Sequence, residues 1–259
     1  MGGLLYKDFT EIRGKGILIF LAVLSLAFAV FRVVFAGTNE IPELMVTDSM
    51  GRTVNLADIF LTSALGFFLI YLNYLINYTV KRICAADEKS KIRGYIFAGP
   101  LTKETYIASK YVFIGIMTYI FFSLYEIWSV TCGAFLLEGN LGEDFYSLFN
   151  SIAVVFFSFS LLIAAVELLT FLLWGVGRAT MIKIAFIMFI GILVIGYMLF
   201  GNLDVFEKLD IERIISWANA HTFELMLANI LSPAITLILY YISYRITVTF
   251  YERKEREYD

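Results

Sequence analysis

Long apolar runs alternate with short polar segments along almost the whole chain. Six runs approach or exceed the 20 or so mostly apolar residues that a helix needs to cross a bilayer. They lie at about 17–36, 57–80, 108–133, 149–174, 181–201 and 225–250. Each run is apolar throughout rather than at every second residue, which favours helices over the strands of a membrane barrel. We therefore predict an all-α, polytopic integral membrane protein with six transmembrane helices in a single domain, residues 1–259.

The composition agrees with this pattern. Of the 259 residues, 60% are hydrophobic and only 17% are charged, so water would solvate the surface poorly. The net charge of −3 gives no reason to expect a nucleic-acid partner. The first run is alternatively a signal peptide, but its apolar stretch is longer than the usual 7–15 residues, so we expect it to be retained.

The distribution of basic residues predicts the orientation, because Lys and Arg near span ends stay on the cytoplasmic side. With a cytoplasmic N-terminus, 14 of the 20 Lys and Arg lie in cytoplasmic segments. The outer segments hold only Arg52, Lys208 and Arg213. This asymmetry predicts an N-in/C-in topology.

The N-terminal segment Leu4 to Gly16 has the pattern of a short amphipathic helix. Leu5, Phe9 and Ile12 share one helical face, and charged residues occupy the rest. This pattern predicts an N-terminal interfacial helix on the cytoplasmic surface. The alternative is a plain extension of the first span.

Motifs of known membrane enzymes are missing from the sequence. It has no HExxH, GxSxG or GxxxxGK[ST] motif, and it has a single histidine, His221. Cys84 and Cys132 are predicted on opposite membrane sides, and neither has metal-ligand neighbours. We therefore predict no enzyme activity, catalytic residue, metal or bound cofactor in this chain. Any ATP would have to be hydrolysed by another chain.

Four of the charged residues inside the predicted spans are candidates for pairing, because an unpaired charge costs about 2.5–3.5 kcal/mol at the bilayer centre. Arg32 and Glu126 lie at similar depth in the outer half, and Glu167 and Arg245 in the cytoplasmic half. We predict that each set pairs. The pairs are interpreted either as structural ion pairs or as substrate or proton sites.

The second span contains the polar and aromatic sequence YLNYLINY. Asn73 and Asn77 are one turn apart, and Tyr71 and Tyr74 lie beside them. This face is unsuited to lipid. It indicates either hydrogen bonding to another helix or a lining of an amphipathic translocation path.

The predicted cytoplasmic loop 81–107 carries helix signals in addition to its basic residues. Asp87 is placed to cap a short helix that ends at Gly99 and Pro100, and Thr102 is placed to cap the next helix. The pattern predicts a short helix lying across the membrane surface. The alternative is that the charges only enforce topology.

The sequence DEKSKIRGYIFAGPLTKETYIASKY resembles the signature stretch of ABC-2 type transporter permeases. The matching positions are Asp87, Lys91, Tyr95, Pro100, Thr102, Lys103, Lys110 and Tyr111. The N-terminal LLYKDF, with Lys7 and Asp8, also resembles this family's opening. Gly99 departs from the family's usual Leu.

Within the family, the chain looks most like the bacterial exporters of phenol-soluble modulins and related antimicrobial peptides. The resemblance implies a multi-pass permease of the bacterial cytoplasmic membrane, working with a second permease, identical or homologous. It also implies two separate ABC ATPase subunits that bind ATP and Mg. Loop 81–107 would then hold the cytoplasmic coupling helix. The residues implied to couple to the ATPases are Asp87, Lys91, Tyr95, Pro100, Thr102 and Lys103.

The resemblance favours export of amphipathic, membrane-active peptides, in contact with membrane lipid. Drugs, lipids or sodium are alternative substrates. An ion-coupled carrier using Glu126 and Glu167 and a non-transporting membrane scaffold are further alternatives from other functional classes.

Overall fold

A computed structural model describes most of the chain as long helices. The described residues are 2–11, 45–47, 53–90, 102–133, 141–200, 217 and 220–256. The helices are α1 (Gly2–Glu11), α2 (Leu56–Lys89), α3 (Lys103–Gly133), α4 (Leu141–Trp174), α5 (Val176–Phe200) and α6 (Thr222–Arg256). Two short antiparallel strands, β1 (Met45–Thr47) and β2 (Thr53–Asn55), precede α2, and Met45 pairs with Asn55.

The helical class and the multi-pass character of the chain are confirmed. Within the described residues, five helices are long and apolar enough to cross a membrane, and they overlap the second to sixth predicted spans. The first predicted span, 17–36, lies outside the described residues, so the count of six and the N-in/C-in orientation stay predictions. The small β1–β2 hairpin was not predicted.

The helix α4 lies at the centre of the described bundle. It packs against α2, α3, α5 and α6. Buried apolar side chains form the core of the bundle, among them Leu72 and Ile76 of α2, Phe113 of α3 and Leu168 of α4. Inside a bilayer such contacts stabilise helix association mainly through close packing, because the surrounding lipid is equally apolar.

The helices α5 and α6 are much less covered than α2 and α3. In their most apolar windows only 6% of the residues are buried, compared with 50% in α2 and α3. Their apolar side chains, such as Phe186 on α5 and Leu237 on α6, are more than half exposed. These faces are therefore available to lipid or to another chain.

The helix α2 is longer than predicted and corrects the proposed role of Asp87. An N-cap residue stands outside its helix with non-helical backbone angles. Asp87 instead lies inside α2, which continues to Lys89, and its carboxylate is fully buried. The prediction that Asp87 caps a new helix was therefore wrong, because buried partners on other helices bind this side chain.

The predicted cap at Thr102 is confirmed. Its Oγ1 accepts a hydrogen bond from the backbone N–H of Thr105 at 3.2 Å, and α3 begins at Lys103. The predicted N-terminal helix is present as α1 up to Glu11, and residues 12–16 of that prediction lie outside the described residues. Its Phe9 ring makes an edge contact with Phe113 of α3, with the centroids 4.8 Å apart. The position of α1 in the membrane interface stays a prediction.

Candidate functional site

Four charged side chains from three helices meet in the interior of the bundle, and we call them the charge cluster. The members are Lys7 and Asp8 of α1, Asp87 of α2 and Lys110 of α3. Lys110 Nζ lies 2.6 Å from Asp8 Oδ1 and 2.7 Å from Asp87 Oδ2. Lys7 Nζ pairs with the other oxygen of Asp87. Two carboxylates and two ammonium groups therefore balance one another.

The charge cluster is almost completely shielded from solvent. Asp8, Asp87 and Lys110 are each at most 1% exposed, and only Lys7 retains partial exposure. Removing ions from water is expensive, and the mutual attraction offsets that cost only with good geometry and further hydrogen bonds. Such a group is better suited to fixing one arrangement of helices than to adding net stability.

Tyr106 completes the charge cluster. Its hydroxyl donates a hydrogen bond of 2.6 Å to Asp87 Oδ2, and its ring centroid lies 5.4 Å from Lys110 Nζ. Tyr106 and Lys110 are four residues apart on α3, so they project from the same helical face. The i, i+4 spacing was visible in the sequence, but it did not reveal the shared carboxylate partner.

Burial raises the pKa of the Asp8 carboxyl above its usual range, and the nearby Lys110 ammonium opposes that shift. Asp8 Oδ2 is buried and accepts no hydrogen bond within the described part of the chain. Asp8 therefore depends heavily on Lys110 for its stabilisation.

The charge cluster holds together the two ends of the predicted coupling segment. Asp87 lies two residues before the end of α2 at Lys89, and Tyr106 and Lys110 lie near the start of α3 at Lys103. Of the predicted coupling residues, Asp87, Thr102 and Lys103 are therefore placed at these two helix ends. Lys91, Tyr95 and Pro100 lie outside the described residues.

A second connection ties the same end of α2 to the turn between α4 and α5. Glu88 Oε1 accepts a hydrogen bond of 2.7 Å from the backbone N–H of Val176, the first residue of α5. A carboxylate at a helix N-terminus is favoured by the helix dipole. Gly175 alone links α4 to α5, with φ of +81°, and a Cβ there would lie 2.8 Å from Glu88 Oε1. This turn therefore requires glycine.

One of the predicted ion pairs within the spans is corrected. Glu167 pairs with Lys183 of α5. Arg245 instead lies 3.7 Å from Glu104, and the side chains of Arg245 and Glu104 are each more than half exposed. The predicted Glu167–Arg245 pair was wrong, because the tight α4–α5 turn places Lys183 nearer to Glu167. Glu126 is half-buried on α3, but Arg32 lies outside the described residues, so that pair stays a prediction.

The predicted path residues on α2 differ in what they contact: the asparagines bond to each other within the helix, whereas Tyr74 is exposed. Asn77 Nδ2 donates to the backbone oxygen of Asn73 at 3.1 Å, so it bonds along its own helix. Tyr71 is half-buried, whereas Tyr74 is 60% exposed and stacks on Tyr78 with centroids 6.2 Å apart. An exposed aromatic stripe with phenolic hydroxyls therefore runs along this part of α2.

No group of three or more His, Cys, Asp or Glu among the described residues is placed to hold a metal ion. The site instead combines buried ion pairs, helix caps and aromatic surface.

Comparison with protein families gives a match. A family model described as ABC-2 family transporter protein matches residues 53–252, which is more than half of the chain. Comparison with curated proteins and with solved structures gives no significant match.

Proposed function

The chain belongs to the ABC-2 transporter family, and on this premise we propose that it is the permease subunit of an ABC exporter for amphipathic, membrane-active peptides. It acts beside a second permease, identical or homologous, and two separate ATPase subunits that bind ATP and Mg. The complex resides in the bacterial cytoplasmic membrane, and this chain contributes no catalytic residue.

The charge cluster is the observation that carries the proposal. Ion pairs of 2.6–2.7 Å bind α1, the end of α2 and the start of α3 to one another. A force applied to the segment between α2 and α3 therefore acts on both helices together. ATP-driven closure of the ATPases would press on residues 87–103 and change the angle of α2 and α3. Lys91, Tyr95, Pro100 and Lys103 would contact the ATPase, and Asp87 would transmit the movement.

The Glu88 contact extends this movement to a further helix pair. Because Glu88 binds the N-terminus of α5, displacement of the end of α2 also acts on the α4–α5 turn. Coupling through contiguous contacts of this kind requires an element with two arrangements. We propose that the tilt of α2 and α3, moving together relative to the rest of the bundle, is that element.

The aromatic stripe on α2 supports an amphipathic cargo. Tyr74 and Tyr78 present both ring faces and hydroxyl groups at an exposed surface within a candidate span. An amphipathic peptide has an apolar face for the rings and polar groups for the hydroxyls. We propose that Tyr71, Asn73, Tyr74 and Asn77 line or support the route between two permeases.

The experiment that tests the proposal is reconstitution. The chain is co-expressed with candidate ABC ATPases, beginning with any P-loop ATPase encoded beside its own gene. The complex is purified, placed in nanodiscs and assayed for ATP hydrolysis with amphipathic peptides. We expect co-purification and peptide-stimulated hydrolysis. Failure of any ATPase to associate would contradict the proposal, and stimulation by drugs, lipids or sodium alone would reassign the substrate.

A double variant tests the coupling segment in the same assay. Tyr95→Asp with Lys103→Glu should lower peptide-stimulated hydrolysis while membrane insertion stays normal. Arg213→Glu, on the predicted outer side, is the control and should retain stimulation. Full stimulation in the double variant would exclude these residues from coupling.

A further inference from the structure

A cavity of about 370 Å³ lies between α3, α4 and α6. Its volume falls in the lower part of the range of about 300–1,000 Å³ that is typical of small-molecule sites. Each of the three helices contributes four of the described lining residues, and α2 contributes none. The cavity is therefore distinct from the aromatic stripe of the proposed route.

The cavity lies at membrane depth. Gly115 and Thr118 occupy the middle of the candidate span Lys103–Thr131, and Ser158 occupies the middle of Tyr146–Trp174. Its surroundings are therefore hydrocarbon rather than water.

Three of the hydroxyl groups in the lining bond to the protein. Thr118 Oγ1 donates to the backbone oxygen of Ile114 at 2.9 Å, and Ser158 Oγ accepts from Ser232. Tyr240 donates its hydroxyl hydrogen to the backbone oxygen of Tyr111 at 2.6 Å. The remaining lining is largely apolar, including Phe122 and Phe157. The cavity therefore suits a ligand that needs no hydrogen bonds.

The rim connects the cavity with the outer surface of the bundle. Tyr119 on α3 is 71% exposed and Leu237 on α6 is 61% exposed, and both line the cavity. An empty recess forfeits dispersion contacts along its walls. Since the hydrocarbon chains of the bilayer adjoin this rim, they are the apolar groups with direct access.

We propose that this cavity is a binding site for one acyl chain of a membrane phospholipid. The acyl chain enters from the side between α3 and α6, while the headgroup stays at the membrane interface. The bound acyl chain fills the space between α3, α4 and α6, and it supplies the dispersion contacts with Phe122 and Phe157 that the empty cavity lacks.

Photolabelling tests this site in the full-length protein. The probe is a phosphatidylcholine with a diazirine in its acyl chain, incorporated in nanodiscs, and the labelled peptides are mapped by mass spectrometry. Gly115→Phe fills the cavity, since a Cβ at Gly115 meets nothing within 4 Å. Gly191→Phe on α5 is the matched control, because its Cβ position is equally open and Gly191 does not line the cavity.

We expect labelling of the lining segments of α3, α4 and α6 in the unmodified chain and in Gly191→Phe, and its loss in Gly115→Phe. Labelling spread evenly over all lipid-facing helices, or surviving in Gly115→Phe, would overturn the proposal. Val154→Phe, from the α4 wall, fills the same space if Gly115→Phe does not insert. Displacement of the label by an amphipathic peptide would assign the cavity to cargo and also overturn a lipid site.

Discussion

Lys110 and Asp8 are 102 positions apart in the chain, yet Lys110 Nζ lies 2.6 Å from Asp8 Oδ1 with both side chains buried. The contact joins the two sequence motifs that resemble the family, one at the N-terminus and one around the predicted coupling loop. It converts two separate motifs into one structural unit with balanced charge.

Replacing one cation of the charge cluster should destabilise the protein more than replacing a cation and a carboxylate of the cluster together. Lys110→Met leaves two buried carboxylates with only Lys7, and loss of one partner of a buried pair costs about 3–5 kcal/mol. Asp8→Asn with Lys110→Met restores the balance, since Asp87 keeps Lys7 and Tyr106. Thermal unfolding of the purified protein should show a large loss in the single variant and partial recovery in the double. Equal loss in both would show that charge balance does not govern this site.

Alanine substitution should affect stability differently at two glycines near the α4–α5 turn, Gly175 and Gly177. Gly175→Ala places a side chain at φ of +81° and against Glu88, so it should destabilise by about 1–2 kcal/mol. Gly177 lies in α5 with open space around its Cβ position, so Gly177→Ala should be neutral or stabilising by up to about 0.5 kcal/mol. Unfolding temperatures of the two variants provide the measurement. Similar values for both would contradict the described turn.

Two ion pairs of the described residues, Lys183–Glu167 and Arg245–Glu104, should differ in strength. Lys183→Met removes the hydrogen-bonded cation of the buried Glu167 carboxylate and should cost roughly 3 kcal/mol, near the lower end for buried pairs because Lys183 is partly exposed. Arg245→Met removes an exposed partner 3.7 Å from Glu104 and should cost less than about 1 kcal/mol. Glu167→Gln with Lys183→Met should recover stability. Equal effects of Lys183→Met and Arg245→Met would refute this ranking.

The aromatic stripe should affect cargo rather than folding. Tyr74→Ala removes an exposed ring on the proposed route, and one aromatic contact of about 0.5–1.5 kcal/mol corresponds to a roughly two- to tenfold weaker peptide response. Tyr241→Ala is the matched control, because Tyr241 is also 60% exposed but lies on α6. Peptide concentrations for half-maximal ATPase stimulation should rise only in Tyr74→Ala. An equal rise in both variants would remove Tyr74 from the route.

Most of the helical architecture could be predicted from the sequence, because the length and polarity of a membrane span are local properties. The apolar runs located the second to sixth spans, but they underestimated α2 and α4, whose polar ends continue the helix beyond the apolar part. The β1–β2 hairpin was missed, since its strands have only three residues each.

The charge cluster could be predicted only in part. The family resemblance singled out Asp87, Lys110, Lys7 and Asp8, but local reading assigned Asp87 to a helix cap because its partners are distant in sequence. Glu167 was matched with Arg245 by depth alone. The depth of a residue in the membrane does not determine which helices are neighbours. The one-residue link between α4 and α5 places Lys183, rather than Arg245, beside Glu167.

The burial of Asp8 also has a consequence for biogenesis. Proteins are synthesised from the N-terminus, so Asp8 is made long before Asp87 and Lys110. Its final partner exists only after α2 and the beginning of α3 have left the ribosome. Asp8 can therefore be shielded from water only after these helices have been inserted side by side. The docking of α1 is consequently a late step in the maturation of the chain.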